Sequence, residues 1–195
     1  MVATTVAFVA LIVAVERGRD KSSGAEAGRA KQLRFDGGVM PRGVRAPDFA
    51  LTDERGRRVT MRQFRGRPVA VTFLYSHCED TCPAQAQQVK GALDLLDRPV
   101  PALAIAVDPP RDTGASAQAF LDKYDLAGRL RWVLGSRAQL QPVWRGFAIQ
   151  EQLPDAEHQS RIVLVDRDGF QRVGFPGDQV TPERLAHDLR ALGAS

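Results

Sequence analysis

Only two cysteines and three histidines occur among the 195 residues of this chain. A closed structural zinc site takes four ligands of these kinds, so such a site is thinly supplied. No internal repeat is present, and no low-complexity segment lies beyond residues 16–45, which excludes a repeat array. The basic residues have no interleaved aromatics and no recognisable base-reading motif, so no nucleic-acid partner is expected. Long apolar runs are equally scarce. Val2 to Val15 is a continuous uncharged run, but it is short for a spanning helix, which needs roughly 17–25 residues. No small-residue cleavage site stands out after it, where Glu16-Arg17-Gly18-Arg19 follows. Residues 1–15 are therefore expected to be an N-terminal membrane anchor or signal segment, with an uncleaved anchor favoured. Arg17, Arg19 and Lys21 follow the run; taken alone, the positive-inside rule would put the rest of the chain in the cytoplasm.

What is present is enough for one domain of about 150 residues plus a leading segment. The apolar fraction is 44%, ordinary for a globular protein with a real core. Charge is uneven. Glu16 to Arg67 carries 14 basic and 7 acidic residues, whereas Pro68 onward carries 13 basic and 16 acidic. The high isoelectric point, near 9.5, thus comes from the front of the chain, and a basic stretch beside an anchor suits an anionic membrane surface. Residues 16–45 are rich in Gly, Ala, Ser and charge with little apolar periodicity, and read as a flexible basic tether. The folded domain is expected over 46–195, beginning at Ala46-Pro47-Asp48-Phe49.

Within that domain, Phe49–Thr52 and Arg58–Met61 around Gly56 predict a small hairpin. Pro68–Tyr75 and Pro101–Val107 are buried strands by their apolar runs, and Leu130–Leu134 is a short one. Val89, Ala92, Leu93 and Leu96 fall at helical spacing over Cys82–Leu96, with Pro83 in the helix start. Thr113 or Ser116 caps a helix to about Tyr124, and Ser136 caps another to about Trp144. Arg161–Asp166, the turn Arg167-Asp168-Gly169 and Phe170–Phe175 form a hairpin. Thr181 and Pro182 open the last helix. Strand–helix–strand followed by a hairpin and a helix is the thioredoxin order. The expected class is α/β: a thioredoxin-like fold with a central mixed sheet, an N-terminal hairpin extension and flanking helices. The crossovers imply parallel pairing in the first half.

Both cysteines lie in Ser76-His77-Cys78-Glu79-Asp80-Thr81-Cys82-Pro83, at the carboxyl end of a central strand and the start of a helix. Open α/β sheets place their sites there. A thiol near a helix N-terminus has its thiolate stabilised by the dipole and by free N–H groups. If the segment is helical, Cys78 and Cys82 face one side. The pair could close a disulfide, exchange one with a partner, or grip a soft ion such as Cu(I) or Zn(II) between its sulfurs. Three other side chains bear on this choice. His77 adjoins Cys78, but neighbouring side chains on an extended segment point apart. His187 sits mid-helix and reads as a surface residue. His158 lies in the polar loop Asp155-Ala156-Glu157-His158-Gln159-Ser160, which in a thioredoxin-like fold packs against the start of the thiol helix.

Taken together, Ala46-Pro47-Asp48-Phe49, Cys78 to Pro83, Val107-Asp108-Pro109-Pro110-Arg111-Asp112-Thr113, Tyr124, and His158 followed by Asp166-Arg167-Asp168-Gly169 resemble the Sco/SenC family. These are membrane-anchored, thioredoxin-like copper proteins, and the resemblance runs from about Ala46 to the C-terminus. It implies that Cys78 and Cys82 are thiolate ligands and redox-active thiols, and that His158 completes a copper site for Cu(I) or Cu(II). It implies a metallochaperone rather than an enzyme in the strict sense. Its work would be assembly of the copper A centre of cytochrome c oxidase, by copper delivery, by reduction of the centre's cysteines, or both. The implied partners are the copper-bearing oxidase subunit, and another copper chaperone or a thiol reductase. The domain would stand on the extracytoplasmic (periplasmic or outer) side. Asp108 would lie beside the site rather than bind the ion.

Relatives that exchange disulfides place a cis-proline nine residues before the Asp-Gly turn. Here that position is Ser160, and no proline lies between Pro154 and Pro176. This favours a metal over peptide docking. The alternative remains a membrane-anchored thiol–disulfide oxidoreductase without a metal role. Two departures from the family pattern are Glu79, where a proline often follows the first cysteine, and Ala84-Gln85, where the family is commonly more acidic or apolar. The carboxylates of Glu79 and Asp80 are expected to raise the thiol pKa values against the helix dipole.

Overall fold

The structure, a computed structural model, describes residues 35–150 and 160–194. The expected anchor, the tether before Phe35, and His158 lie outside these residues.

A single eight-stranded mixed sheet organises the domain, in the order β1-β8-β7-β4-β5-β6-β2-β3. The strands are β1 (Gly38–Val39), β2 (Ala50–Asp53), β3 (Arg58–Thr60), β4 (Val69–Leu74), β5 (Ala102–Ala106), β6 (Leu130–Leu134), β7 (Arg161–Val165) and β8 (Gln171–Pro176). Among the described residues four α-helices, α1 (Thr81–Asp94), α2 (Gly114–Lys123), α3 (Arg137–Gly146) and α4 (Pro182–Ala194), and two short 3-10 turns accompany the sheet. The β4–β5 and β5–β6 pairs are parallel, and β7 runs antiparallel to β4. The predicted class and element order therefore hold.

The centre is apolar because the chain is. Every residue of β4 and β5 is buried, as befits strands covered on both faces. Trp132, Phe73, Phe147 and Phe175 fill the largest volumes inside. Burying each large apolar side chain contributes roughly 1.5–3 kcal/mol. The caps are local and strong. Thr113 and Ser116 form one reciprocal capping box, so the two candidate caps of α2 act together, and Ser136 with Gln139 forms another at α3. The Trp144 indole donates to the Ala106 carbonyl at 2.9 Å, tying α3 to the end of β5. In the β7–β8 turn, Asp166 accepts from the Asp168 and Phe170 amides, and Gly169 takes a φ of 77°, a conformation that favours glycine.

One element departs from expectation. The composition of residues 35–45 reads as tether, yet β1 pairs with β8 through Gly38–Gly174 and Val39–Val173. The segment is fastened further by Asp188, whose two carboxylate oxygens accept from the Asp36 and Gly37 amides at 2.8 and 2.9 Å. A two-residue strand with one glycine carries no readable periodicity, so its pairing is visible only in three dimensions.

Candidate metal centre

β4 delivers the chain to the site. After Leu74 the backbone leaves the sheet, turns with the Cys78 N–H donating to the Tyr75 carbonyl at 3.2 Å, and enters α1 at Thr81. Pro83 is accommodated in the first turn, where backbone N–H groups have no helical partner. Cys78 and Cys82 are both buried and both free thiols. The Cys82 amide donates to Cys78 Sγ at 3.2 Å. The i, i+4 spacing thus places the two residues at one point of the helix start, as expected.

The two thiols differ. Cys78 is held well below the ordinary thiol range, first by a hydrogen bond from the Cys82 side chain, then by one from the Tyr75 phenol and by the amides of Cys82 and Asp80; burial opposes this. Cys82 is pushed up by the Cys78 sulfur beside it and by burial. The Tyr75 phenol is pushed up by the same sulfur, so it stays protonated and donates. Glu79 and Asp80 do not act as expected. Both side chains are exposed, where water screens them, while the Asp80 backbone N–H stabilises the Cys78 thiolate. The Cys82 side chain, the Tyr75 phenol and the backbone amides aimed at the sulfur outweigh carboxylates turned to solvent.

The loop after β5 braces this turn. Asp112 accepts from the Ser76 amide at 2.7 Å and from the Asp108 amide at 3.1 Å. Its carboxyl is pushed up by burial, against the Ser76 amide. Asp108 itself pairs with Arg111 at 2.5 Å. Of the two aspartates in the segment, Asp112 is the one that touches the thiol loop. The Ser76 hydroxyl adds a bond to Ser116 at 2.9 Å. His77 is exposed, its Nδ1 3.0 Å from the Ser76 hydroxyl. His187 is also on the surface. With Asp36 and Asp188 it forms the one group of ligand-type side chains within 4.8 Å of each other detected among the described residues. Those groups are engaged with one another and with the Asp36 and Gly37 amides, which accounts for them as a fastening of the N-terminal segment.

Two sulfurs brought to one helix start, one of them favouring the thiolate, form a soft donor pair that fits a copper ion and not a hard cation. A profile of the SCO1/SenC family matches residues 41–194. This chain belongs to the SCO1/SenC family. It is 30% identical over 159 residues to the mitochondrial SCO2 homolog of Bos taurus, covering 75% of this chain and 59% of that protein. It is 28% identical over 152 residues to protein SenC of Rhodobacter capsulatus, covering 72% of this chain and 67% of that one. The chain thus spans less than two thirds of the bovine relative's length. Among solved structures it is similar to Bradyrhizobium japonicum ScoI with copper bound, with a TM-score of 0.60 and 30% identity over 74% of this chain and 97% of that one. The thioredoxin-like fold of the family is the fold described above.

Tyr75, Gln85 and Asp112 are polar groups to which the sequence gives no role at the site. Tyr75 enters only as the end of an apolar strand, Gln85 only as a departure from the family pattern, and Asp112 only within the segment that also carries Asp108. Only their positions against other elements reveal them.

Proposed function

We propose that this chain is a copper-binding metallochaperone that assists assembly of the copper A centre of cytochrome c oxidase. The carrying observation is the buried, reduced Cys78–Cys82 pair at the start of α1 in a member of the SCO1/SenC family. Copper is its cargo. Cys78 and Cys82 would supply two thiolates and His158 an imidazole. Cys82 starts protonated, so taking up the ion releases a proton to solvent. The partner is the copper-bearing oxidase subunit, with another copper chaperone or a thiol reductase upstream. Residues 1–15 would anchor the domain on the extracytoplasmic side. Among the described residues no helix is long and apolar enough to cross a membrane.

Anaerobic Cu(I) titration of the full reduced chain tests this reading. Tight binding is expected, abolished in Cys78→Ala and weakened in His158→Ala. Affinity untouched by His158→Ala would remove the histidine from the site, and no binding by the unaltered chain would end the copper reading.

The inequality of the thiols supports a second role, reduction of the acceptor's cysteines. The Cys78 thiolate attacks one sulfur of an acceptor disulfide and releases the other as a thiolate, which takes up a proton. Cys82 then gives its proton to solvent and attacks Cys78 Sγ, releasing the second acceptor thiolate. The acceptor gains two electrons and this chain ends with a Cys78–Cys82 disulfide. Reduction of a disulfide peptide by the copper-free chain, lost in Cys82→Ala, tests that step.

A further inference from the structure

One end of the domain carries positive charge that the thiol chemistry does not use. β4, six residues long, leads from this end to the thiols, and α1, 14 residues long, leads back to it. The two ends therefore stand about 20 Å apart. Several elements converge at the end away from the thiols. β7 is antiparallel to β4 with Val69 opposite Val165, and the Gly66 amide donates to the Arg167 carbonyl at 2.9 Å. The Ala70 amide donates to the Pro101 carbonyl at 3.0 Å, just before β5. The Arg167 guanidinium donates to the Gly193 carbonyl at 2.9 Å, and that of Arg190 to the Leu95 carbonyl, joining the end of α4 to the β7–β8 turn and to the end of α1. Between them lies a groove of about 480 Å³ floored by Pro68, Val100 and Leu189. Arg67, Arg98, Arg167 and Arg190 line it against a single carboxylate, Asp97. All four arginines are exposed. Arg167 and Arg190 meet neutral carbonyls, which leave their charge uncompensated. No ion pair or side-chain hydrogen bond holds Arg67 or Arg98 to a described residue. Leu95, one of the two large apolar side chains exposed among the described residues, stands beside them at 42%.

We infer that this groove is a docking surface for anionic phospholipid headgroups, and that it holds the domain with the thiols facing away from the bilayer. The inference goes beyond the copper reading and does not depend on it. Charge selects the class of partner: four arginines against one aspartate leave the lining strongly positive. Guanidinium groups match phosphate oxygens two N–H groups at a time. The neighbouring Leu95 is exposed, and Leu96 and Val100 are half-buried. Arginines set around such side chains suit a membrane interface, where the charges meet headgroups and the apolar groups enter the acyl boundary. Whatever the thiols react with has to sit at the other end, about 20 Å away, and leaves this one free. A lipid surface can occupy the groove while the thiols stay open to a second molecule.

Amide exchange of the full chain, with and without vesicles, tests the inference. Arg17, Arg19 and Lys21 near the N-terminus bring charge of their own, so site-resolved exchange is read rather than total binding. On vesicles of equal phosphatidylglycerol and phosphatidylcholine at low ionic strength, the Asp97, Arg98 and Val100 amides should slow. The His77 and Glu79 amides at the thiol end should exchange as they do in solution. Each arginine near an anionic surface changes occupancy by about 5-fold, so Arg67→Gln/Arg98→Gln should weaken it by about 25-fold and abolish the slowing. Both side chains are exposed, so the variant should keep its fold, which unchanged exchange in β4 and β5 verifies. Salt at about 1 M, where the Debye length is only about 3 Å, should abolish the slowing as well. No slowing on the anionic vesicles, equal slowing on pure phosphatidylcholine, or slowing that survives the double substitution would overturn the inference. So would the same slowing with inorganic phosphate alone, which marks a free-anion site, or with poly-glutamate but not vesicles, which marks an acidic protein partner.

Discussion

The amide of Cys82 donates to the Cys78 sulfur at 3.2 Å, and the two thiols that meet there are unequal. Cys78 is held low, most strongly by the Cys82 side chain and next among its stabilising partners by the Tyr75 phenol. Cys82 is held high by the same neighbour. In the reduced chain, alkylation at mildly acidic pH is therefore expected at Cys78 alone. Removing the phenol in Tyr75→Phe should move the pH midpoint of that reaction upward, toward the ordinary thiol range, and Cys82→Ala should move it further. Mass spectrometry of peptides after timed alkylation reads both. Equal labelling of the two cysteines would refute the asymmetry.

The same asymmetry is linked to stability. The Cys78 thiol titrates lower in the folded chain, at about 4, than the roughly 8.5 of an unfolded one. Its contribution is fully present above the unfolded value and is lost as pH falls toward the folded one. Cys82 is raised, so its contribution is present below the unfolded value and is lost as pH rises beyond it. The thiol-dependent stability of the reduced, metal-free chain should peak near pH ~8.5, where the first is complete and the second has not begun to fail. Subtracting the unfolding profile of a Cys78→Ala/Cys82→Ala variant isolates it. A flat difference across that range would show that the folded thiols titrate as unfolded ones do.

Much of this domain is legible before any coordinates, for physical reasons that differ by element. Leu130–Leu134 is found with its predicted bounds because a short apolar run between turn signals has one good solution. The caps at Thr113 and Ser136 are readable because their chemistry is local. The thiol pair is readable because spacing and strand position are enough to place it. What escapes is long-range. β1 depends on β8, more than 130 residues away. Gln85 depends on Ser160, 75 residues away, and Asp112 depends on Ser76 across 36 residues. Such contacts are set by how strands are ordered in the sheet, which periodicity does not encode. The expected rise fails at Cys78 for a related reason: charge count is visible in sequence, but the exposure of Glu79 and Asp80 is not; Cys82 does rise, through the Cys78 sulfur and burial.

Asp112 makes the bracing of the thiol loop measurable. Both of its oxygens accept backbone N–H groups, from Ser76 and Asp108. In Asp112→Asn one oxygen becomes an NH2 group and faces a donor. Leaving one buried N–H unmet costs about 1–3 kcal/mol, while removing a buried charge returns only part of that. Denaturant unfolding should show a net loss of about 1–2 kcal/mol, with faster amide exchange at Ser76. Stability equal to that of the unaltered chain would mean that the carboxylate does not brace the loop.

The last prediction concerns the β1 edge of the sheet. Asp188 is fully buried, and its carboxylate is held by the Asp36 and Gly37 amides, with His187 Nδ1 2.9 Å from Oδ1. This fastening precedes β1 and is expected to help keep that two-residue strand on β8, beside its own pairing with Gly174 and Val173. In Asp188→Ala both amides lose their acceptor. They regain water only if the segment lifts away, so detachment relieves the deficit and limits the loss to about 1–3 kcal/mol. Amide exchange at Val39 and Met40 should accelerate in the variant, since Met40 donates to the Arg172 carbonyl only while the segment is docked. Amides of β4 and β5 should keep their protection, because the sheet centre makes no use of Asp188. Exchange at Met40 unchanged by the substitution would show that β1 holds by its own pairing, and the buried carboxylate would need another explanation.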